Sequence, residues 1–375
     1  MFFVLAIAMA AQPVTNDPFP GRYREDITAS HGIRQDQFNQ VHAYLDALKK
    51  EAADRRAEFF KPDYSSADAF AKSCEPLRKR VLERIGYPPP KTSPDKEPRV
   101  EKVAEDEYST IYRMWLEVLE GVEGYSILTI PKGLAGPAPL MICQHGGGGS
   151  PEVIAPFTGD RGDGTFNYGW MVQRAVQRGY VTWAPELIFP VAGVEKIEGP
   201  DRLALDAGLR YVGTSLLAVE LWKIHRGLDV VLRRPEIDPN RVAMMGLSYG
   251  GLYTLFATAL ESRIKVAVSS CYFNDRLRYS WADWSFHNYL NEFADPEIGA
   301  LICPRPLMVE VGDKDALFVV DGARSQAPLA RRHWEKLGLS SRFQYVEFDG
   351  AHEFKGERAY EFVDAALKAP VVSKP

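Results

Sequence analysis

The sequence predicts an α/β protein: a mostly parallel central sheet with helices on both faces, plus a helical N-terminal extension. Three observations predict it. From residue 100 onward, short apolar runs alternate with stretches whose apolar residues step by three and four. That alternation builds parallel sheets buried on both sides. A proline-rich stretch at 86–98 separates this pattern from a helical beginning. The composition is that of an ordinary globular chain, 46% hydrophobic and 25% charged over 375 residues, which excludes a disordered, collagenous or coiled-coil protein.

The elements follow in order. The apolar run from Met1 to Ala11 is shorter than the roughly 20 residues a membrane span needs. It resembles the core of a secretory signal, and Ala8-Met9-Ala10 fits the small-x-small cleavage rule. A signal peptide within 1–15 and export to the periplasm or the exterior are therefore expected, with a cytoplasmic location as the alternative. Phe38, Val41, Leu45 and Leu48 lie on one helix face, and so do Leu77, Val81 and Ile85. Residues 16–98 are expected to form a helical extension and connector, packed as an appendage on a main domain of 99–375. Segments 110–119 and 125–130 read as a hairpin around Gly121–Gly124. The runs 140–143, 180–184, 242–245, 266–271, 307–311 and 343–348 read as buried strands. Leu217, Leu221, Ile224, Leu228 and Val231 mark a helix among them.

Composition also limits function. The 45 basic and 50 acidic residues leave a net charge of −5, without the basic face that nucleic-acid binding needs. Nothing beyond Ala11 is apolar enough for stable membrane insertion. The four cysteines form no C-x-x-C pair, so neither a zinc ribbon nor a redox site is indicated. Cys143 and Cys271 fall in predicted strands and read as core packing. No metal-ligand cluster is visible, so no metal and no cofactor are expected. Nothing sets the oligomeric state.

In parallel sheets, ligands sit at the C-terminal ends of the strands, so the loops after the runs carry the argument. Run 242–245 ends in Gly246-Leu247-Ser248-Tyr249-Gly250-Gly251. With 30 glycines in the chain, roughly one such protein in eight would show G-x-S-x-G by accident. Context therefore decides: a strand precedes it, and Leu252, Leu255 and Phe256 follow at helical spacing. A sharp strand-to-helix turn lifts the serine hydroxyl above the sheet, and glycines on either side avoid collisions there. Run 140–143 ends in Gln144-His145 and four glycines. The amide of Gly146 or Gly147, together with that of Tyr249, suits an oxyanion hole. His145 reads as structural.

Run 307–311 ends in Gly312-Asp313-Lys314-Asp315, and run 343–348 ends in Asp349-Gly350-Ala351-His352. Nucleophile, acid and base in that chain order match a serine hydrolase triad. His352 would deprotonate Ser248, and the acid would hold the imidazole tautomer.

From residue 100 to the end the chain resembles the α/β-hydrolases, and within them the dienelactone hydrolase and acetyl-xylan-esterase-like branch. The segments that carry this are Arg234–Arg241 leading into Gly246–Gly251, then Cys303-Pro304-Arg305-Pro306-Leu307, Gly312–Asp315 and Gly350–Phe354. The resemblance implies Ser248, Asp315 and His352 as the triad, with Asp313 and Asp275 as alternative acids. Dienelactone hydrolases use cysteine as nucleophile, and serine here favours ordinary ester hydrolysis. Residues 272–298 form an aromatic-rich insertion in which Trp281 and Trp284 share a face and suit a small-molecule or carbohydrate ester. Glu186, at a strand end, is a further candidate for substrate contact, and Arg161 or Arg276 could meet an anionic group. The expected function is hydrolysis of short-chain or acetyl esters. A prolyl-oligopeptidase-like serine peptidase is the alternative, and a non-catalytic binding protein a third reading.

Overall fold

A computed structural model describes residues 18–93, 96–157, 165–189, 191–192, 195–196 and 201–368. The expected signal segment at 1–15 and Arg161 lie outside the described residues. The chain divides into two compact units between Glu51 and Ala52. The first holds a 3₁₀ turn at Ile27–Ser30, capped by Asp26, and the beginning of helix α1 (His31–Phe59). Phe38, Val41 and Leu45 lie on α1 as their spacing requires, but they are 61%, 61% and 44% exposed. The buried residues of α1 are Ala52 and Arg56.

The second unit continues with α2 (Ala67–Ser73) and α3 (Glu75–Ile85). Ser66 caps α2 by accepting from the Ala69 amide, and Gly86, at φ 72°, ends α3. The expected division at residue 98 is corrected here. Phe70, Cys74, Val81 and Ile85 belong to the main core rather than to an appendage. Arg80 and Arg84 both donate to Glu292 of the aromatic insertion. Burial opposes the Glu292 charge, but the two guanidiniums hold its carboxyl down at about 2. The proline-rich stretch bends the chain without ending a domain.

The strands among the described residues are β1 (Arg99–Glu105), β2 (Ser109–Leu119), β3 (Val122–Pro131), β4 (Ala138–Gln144), β5 (Val181–Pro185), the two-residue pair β6 (Val191–Ala192) and β7 (Glu195–Lys196), β8 (Ile237–Leu247), β9 (Val266–Ser270), β10 (Leu307–Gly312) and β11 (Phe343–Phe348). Nine of them form one sheet in the order β1-β2-β3-β5-β4-β8-β9-β10-β11. The hairpin β2–β3 and the pair β3–β5 are antiparallel; from β5 to β11 every neighbour is parallel. The helices between them are α4 (Pro151–Ile154), α5 (Met171–Gln177), α6 (Arg202–Tyr211), α7 (Leu216–Val231), α8 (Tyr249–Leu260), α9 (Asp295–Ile302), α10 (Val320–Lys336) and α11 (Glu357–Lys368).

Alternate strand residues feed two cores. Leu140 and Ile142 join Leu217, Leu221 and Leu255 on one face. Met141 and Cys143 join Val172, Ala359 and Val363 on the other. Both faces are thus covered, as the strand–helix alternation requires. No helix among the described residues is long and apolar enough to cross a membrane.

Register then sets the site. Gln144 pairs with Gly246, Leu247 with Ser270, Ser270 with Glu310, and Gly312 with Phe348. Strands β4, β8, β9, β10 and β11 therefore end along one edge, and their loops meet there.

Candidate active site

Ser248 sits between β8 and α8 with φ 60° and ψ −120°, a backbone conformation that costs a non-glycine residue of order 1–3 kcal/mol. Its amide donates to the Ser270 carbonyl at 2.9 Å, which pins the turn to the neighbouring strand. Glycine is required on the far side of the turn. A Cβ on Gly250 would lie 2.1 Å from the Gln144 carbonyl oxygen. We expect Gly250→Ala to destabilise the protein by about 1–3 kcal/mol and to abolish any Ser248-dependent activity. Thermal unfolding and turnover of the purified variant check this.

Asp315 and His352 are joined directly. His352 Nδ1 donates to Asp315 Oδ2 at 2.8 Å. The other oxygen, Oδ1, accepts from the amides of Leu317 at 2.8 Å and Phe318 at 2.9 Å. Burial raises the Asp315 pKa, but the His352 hydrogen bond and the two amides outweigh it, and the carboxyl ends below its ordinary value. The Phe318 ring stacks on the imidazole, centroids 5.5 Å apart at 12°. The alternative acids point elsewhere. Asp313 is exposed and accepts from the Gly350 amide. Asp275 accepts from Leu277 within its own loop and faces Arg278. No hydrogen bond joins Ser248 to His352 among the described residues; in substrate-free acyl-transfer sites that contact is often long.

The glycine loop needs one correction. The Gly146 amide donates to the Tyr168 hydroxyl at 3.0 Å, so it is not available to an oxyanion. Gly146 instead permits close approach: a Cβ there would lie 2.9 Å from that of Ser248. The Gly147 amide has no acceptor among the described residues, and a Cβ on Gly147 would lie 3.6 Å from the Tyr249 ring. The Tyr249 amide opens α8 and has no acceptor inside that helix. Gly147 and Tyr249 are thus the pair of donors the fold leaves available. His145 is buried, with both ring nitrogens hydrogen-bonded. Its Nε2 accepts from the Leu187 amide, so Nδ1 carries the proton and donates to the Gly146 carbonyl. Burial pushes its pKa down to about 3, and the ring stays neutral.

The aromatic insertion reaches this edge. Trp281 and Trp284 stack at 4.9 Å and 10°, at the two ends of a short 3₁₀ turn, with Trp281 its N-cap and Trp284 its last residue, rather than on an α-helix. The Tyr249 ring lies 5.6 Å from Trp281 and 5.1 Å from Trp284. Trp281 is 38% exposed, while Trp284 is 5% exposed and packs beneath it. Only Trp281 therefore offers a face to solvent. Tyr272, Phe273, Tyr289 and Phe293 are core residues. Arg276 is not free for an anion, because its guanidinium is buried against Asp295 and the Tyr272 carbonyl. Glu186 follows β5 and stands 3.7 Å from His145 Nε2. Burial pushes its carboxyl up to about 8, with Lys223 opposing.

Two contributors carry no motif. Arg202 donates to Asp283, the Ile188 carbonyl and Tyr253, and lies over the rings of Phe189 and Tyr249. Tyr249 in turn donates to Asp283 at 2.8 Å. This network holds the residue after Ser248 against the insertion. Its only trace in the sequence is that Asp283 lies between Trp281 and Trp284 in the aromatic-rich insertion; nothing there marks Arg202. Cys271, read as a core thiol, lies beside the Asp315–His352 pair.

Comparison with known proteins agrees with this architecture. The model of the prolyl oligopeptidase family matches residues 221–299. "Putative hydrolase YtaP" of Bacillus subtilis (strain 168) is 25% identical over 237 residues, covering 59% of this chain and 75% of that protein. Among solved structures, a "putative acetyl xylan esterase" from Bacteroides fragilis superposes with a TM-score of 0.67 at 18% identity, over 87% of this chain and 95% of that one. A glucuronoyl esterase from Solibacter usitatus superposes with a TM-score of 0.58 at 16% identity, over 82% and 98%. The chain has an α/β-hydrolase fold.

Proposed function

We propose that the protein hydrolyses carboxylic esters through an acyl-enzyme on Ser248. The observation that carries this reading is Ser248 on a strained strand-to-helix turn at the same sheet edge as the hydrogen-bonded Asp315–His352 pair. His352 takes the Ser248 proton as Oγ attacks the ester carbonyl. The amides of Gly147 and Tyr249 hold the oxyanion, each contributing about 3–4 kcal/mol to the transition state. His352 then returns the proton to the leaving alcohol, and water releases the acid by the reverse sequence. Asp315 keeps the imidazole in the tautomer that exposes Nε2 as the base.

The substrate class follows from the rim. The open face of Trp281 suits a sugar or aryl ring. Glu186, protonated up to about pH 8, is an uncharged hydrogen-bonding group beside the glycine loop and suits a polar, neutral alcohol. A short-chain or acetyl ester on carbohydrate fits both, within the acetyl-xylan-esterase-like branch of the fold. The N-terminal apolar run makes an exported enzyme the matching location.

The partial match to the prolyl oligopeptidase model keeps one second reading in play, peptide-amide cleavage by the same residues. The deciding assay offers the purified protein an aryl acetate and a prolyl anilide. We expect ester hydrolysis at least 100-fold faster than amide hydrolysis. Amide cleavage without ester cleavage would overturn the esterase reading in favour of a peptidase.

A further inference from the structure

Cys271 follows β9 directly and adopts φ 47°, a left-handed conformation that a non-glycine residue takes only when its surroundings hold it there. Its surroundings do. The amide donates to the Glu310 carbonyl at 2.9 Å, and Sγ lies 3.4 Å from the Glu353 carbonyl, to which the thiol donates. The thiol is thereby turned towards the loop that carries His352. Sγ, a carboxylate oxygen of Asp315 and a ring nitrogen of His352 all lie within 4.8 Å of one another. Thiolate, imidazole and carboxylate are together the donor set of zinc-like sites, with bonds of about 2.0–2.3 Å. Those bonds place ligand atoms roughly 3.3–3.7 Å apart in a tetrahedron, so the three groups need only modest side-chain rotation. Cys271 and Asp315 are buried, whereas the His352 side chain is 21% exposed. The imidazole is thus the member of the cluster that meets solvent.

We propose that Cys271, Asp315 and His352 form a site for one thiophilic divalent cation of the zinc or cadmium class, whose binding switches the enzyme off. The switching rests on the esterase reading above; the binding does not. The bond changes balance without any oxidant or reductant. The cation displaces the thiol proton to solvent as it bonds Sγ. It also takes His352 Nδ1, whose proton moves to Nε2. Asp315 Oδ2 then coordinates the cation in place of the hydrogen bond it accepted. One proton leaves per cation. With Nε2 protonated and Nδ1 ligated, the imidazole has no lone pair for the Ser248 proton. Oxygen-seeking cations such as Mg²⁺ gain nothing from the thiol and do not compete for the site.

The test titrates the full chain with Cd²⁺ and follows two signals in parallel, the ultraviolet thiolate-to-cadmium charge-transfer absorption and the turnover of an aryl acetate. The expected result is one cadmium per chain, a charge-transfer signal that rises as turnover falls at least tenfold, reversal of both by a chelator, and no response to Mg²⁺. Cys271→Ser removes the signal and leaves turnover at least tenfold less sensitive to Cd²⁺. His352→Gln keeps the thiol but weakens cadmium binding at least tenfold, and serves if the cysteine variant does not fold. An absent signal in the parent protein, or one unchanged in Cys271→Ser or His352→Gln, overturns the proposal. Because the absorption is read without substrate, a protein that binds cadmium but cleaves no ester refutes the esterase reading and not the metal site.

Discussion

Ser248→Ala is expected to lower turnover of an aryl acetate by about 10⁵–10⁶-fold and to leave the melting temperature unchanged within about 1–2 °C, a shift that corresponds to about 1 kcal/mol in a protein of this size. The two halves of that expectation have separate causes. The hydroxyl is the only atom at this position that can form an acyl bond, so its removal leaves only the general effects of binding and of the oxyanion donors. The hydroxyl makes no helix-capping hydrogen bond, and the contact that holds the turn, from the Ser248 amide to the Ser270 carbonyl, belongs to the backbone. Alanine retains that contact and the same φ restriction. Parallel rate and melting measurements on the parent and the variant decide it. A variant that retains a tenth of the activity would place the nucleophile elsewhere, and one that is unfolded would show that the elbow depends on the hydroxyl in a way the contacts do not predict.

The sheet, and the placement of Ser248, Asp315 and His352 along one edge of it, were legible because both depend on local pattern. Each of the six apolar runs became a strand, and in a parallel sheet the residue after a strand lies at the ligand edge wherever the helices go. Ser248 and His352 needed no more than that placement and their order along the chain, whereas the choice of Asp315 over Asp313 and Asp275 rested on the resemblance to the α/β-hydrolases. What sequence reading missed depends on contacts between distant segments. Tyr168 takes the Gly146 amide across 22 residues, so the choice between Gly146 and Gly147 as oxyanion donor could not be made from the glycine run. Cys271 reads as the last residue of a buried strand, and its approach to His352 follows from a left-handed turn that no composition signals. The domain division was misread because prolines mark where a helix cannot continue, not where packing stops. Buried Val81 and Ile85 and the Arg80–Glu292–Arg84 cluster lie beyond what a proline count reports. Strand β1 escaped notice as well. Each of its residues is exposed, and its charges at Arg99, Glu101, Lys102 and Glu105 are those of a protected edge strand, with no apolar alternation to announce it.

Asp315→Asn is expected to cost about 10⁴-fold in kcat, whereas Asp313→Asn stays within a few-fold of the parent. Asparagine is nearly isosteric, so the loss at 315 comes from which atom faces the base. Two backbone amides, of Leu317 and Phe318, donate to Asp315 Oδ1. They require an acceptor there, so an asparagine side chain in its place must turn its carbonyl oxygen to them and present its NH₂ group to His352 Nδ1. A ring nitrogen that faces a donor must be unprotonated, which moves the imidazole proton to Nε2 and removes the base from the side of Ser248. Asp313 accepts only the Gly350 amide, and an asparagine carbonyl replaces it there without reorienting anything. Stability carries an independent mark of the same arrangement. The folded-state pKa of Asp315 is depressed, so its contribution is present above the unfolded carboxylate value near 4 and is lost as the pH falls through the folded value. The Asp315→Asn variant should therefore be less stable than the parent at pH 7, with the gap closing below about pH 4. Melting curves across that range and kcat at neutral pH test the two effects separately. Equal losses of kcat at 313 and 315, or a stability gap that does not depend on pH, would remove Asp315 from the relay and return the choice of acid to the remaining carboxylates of the site.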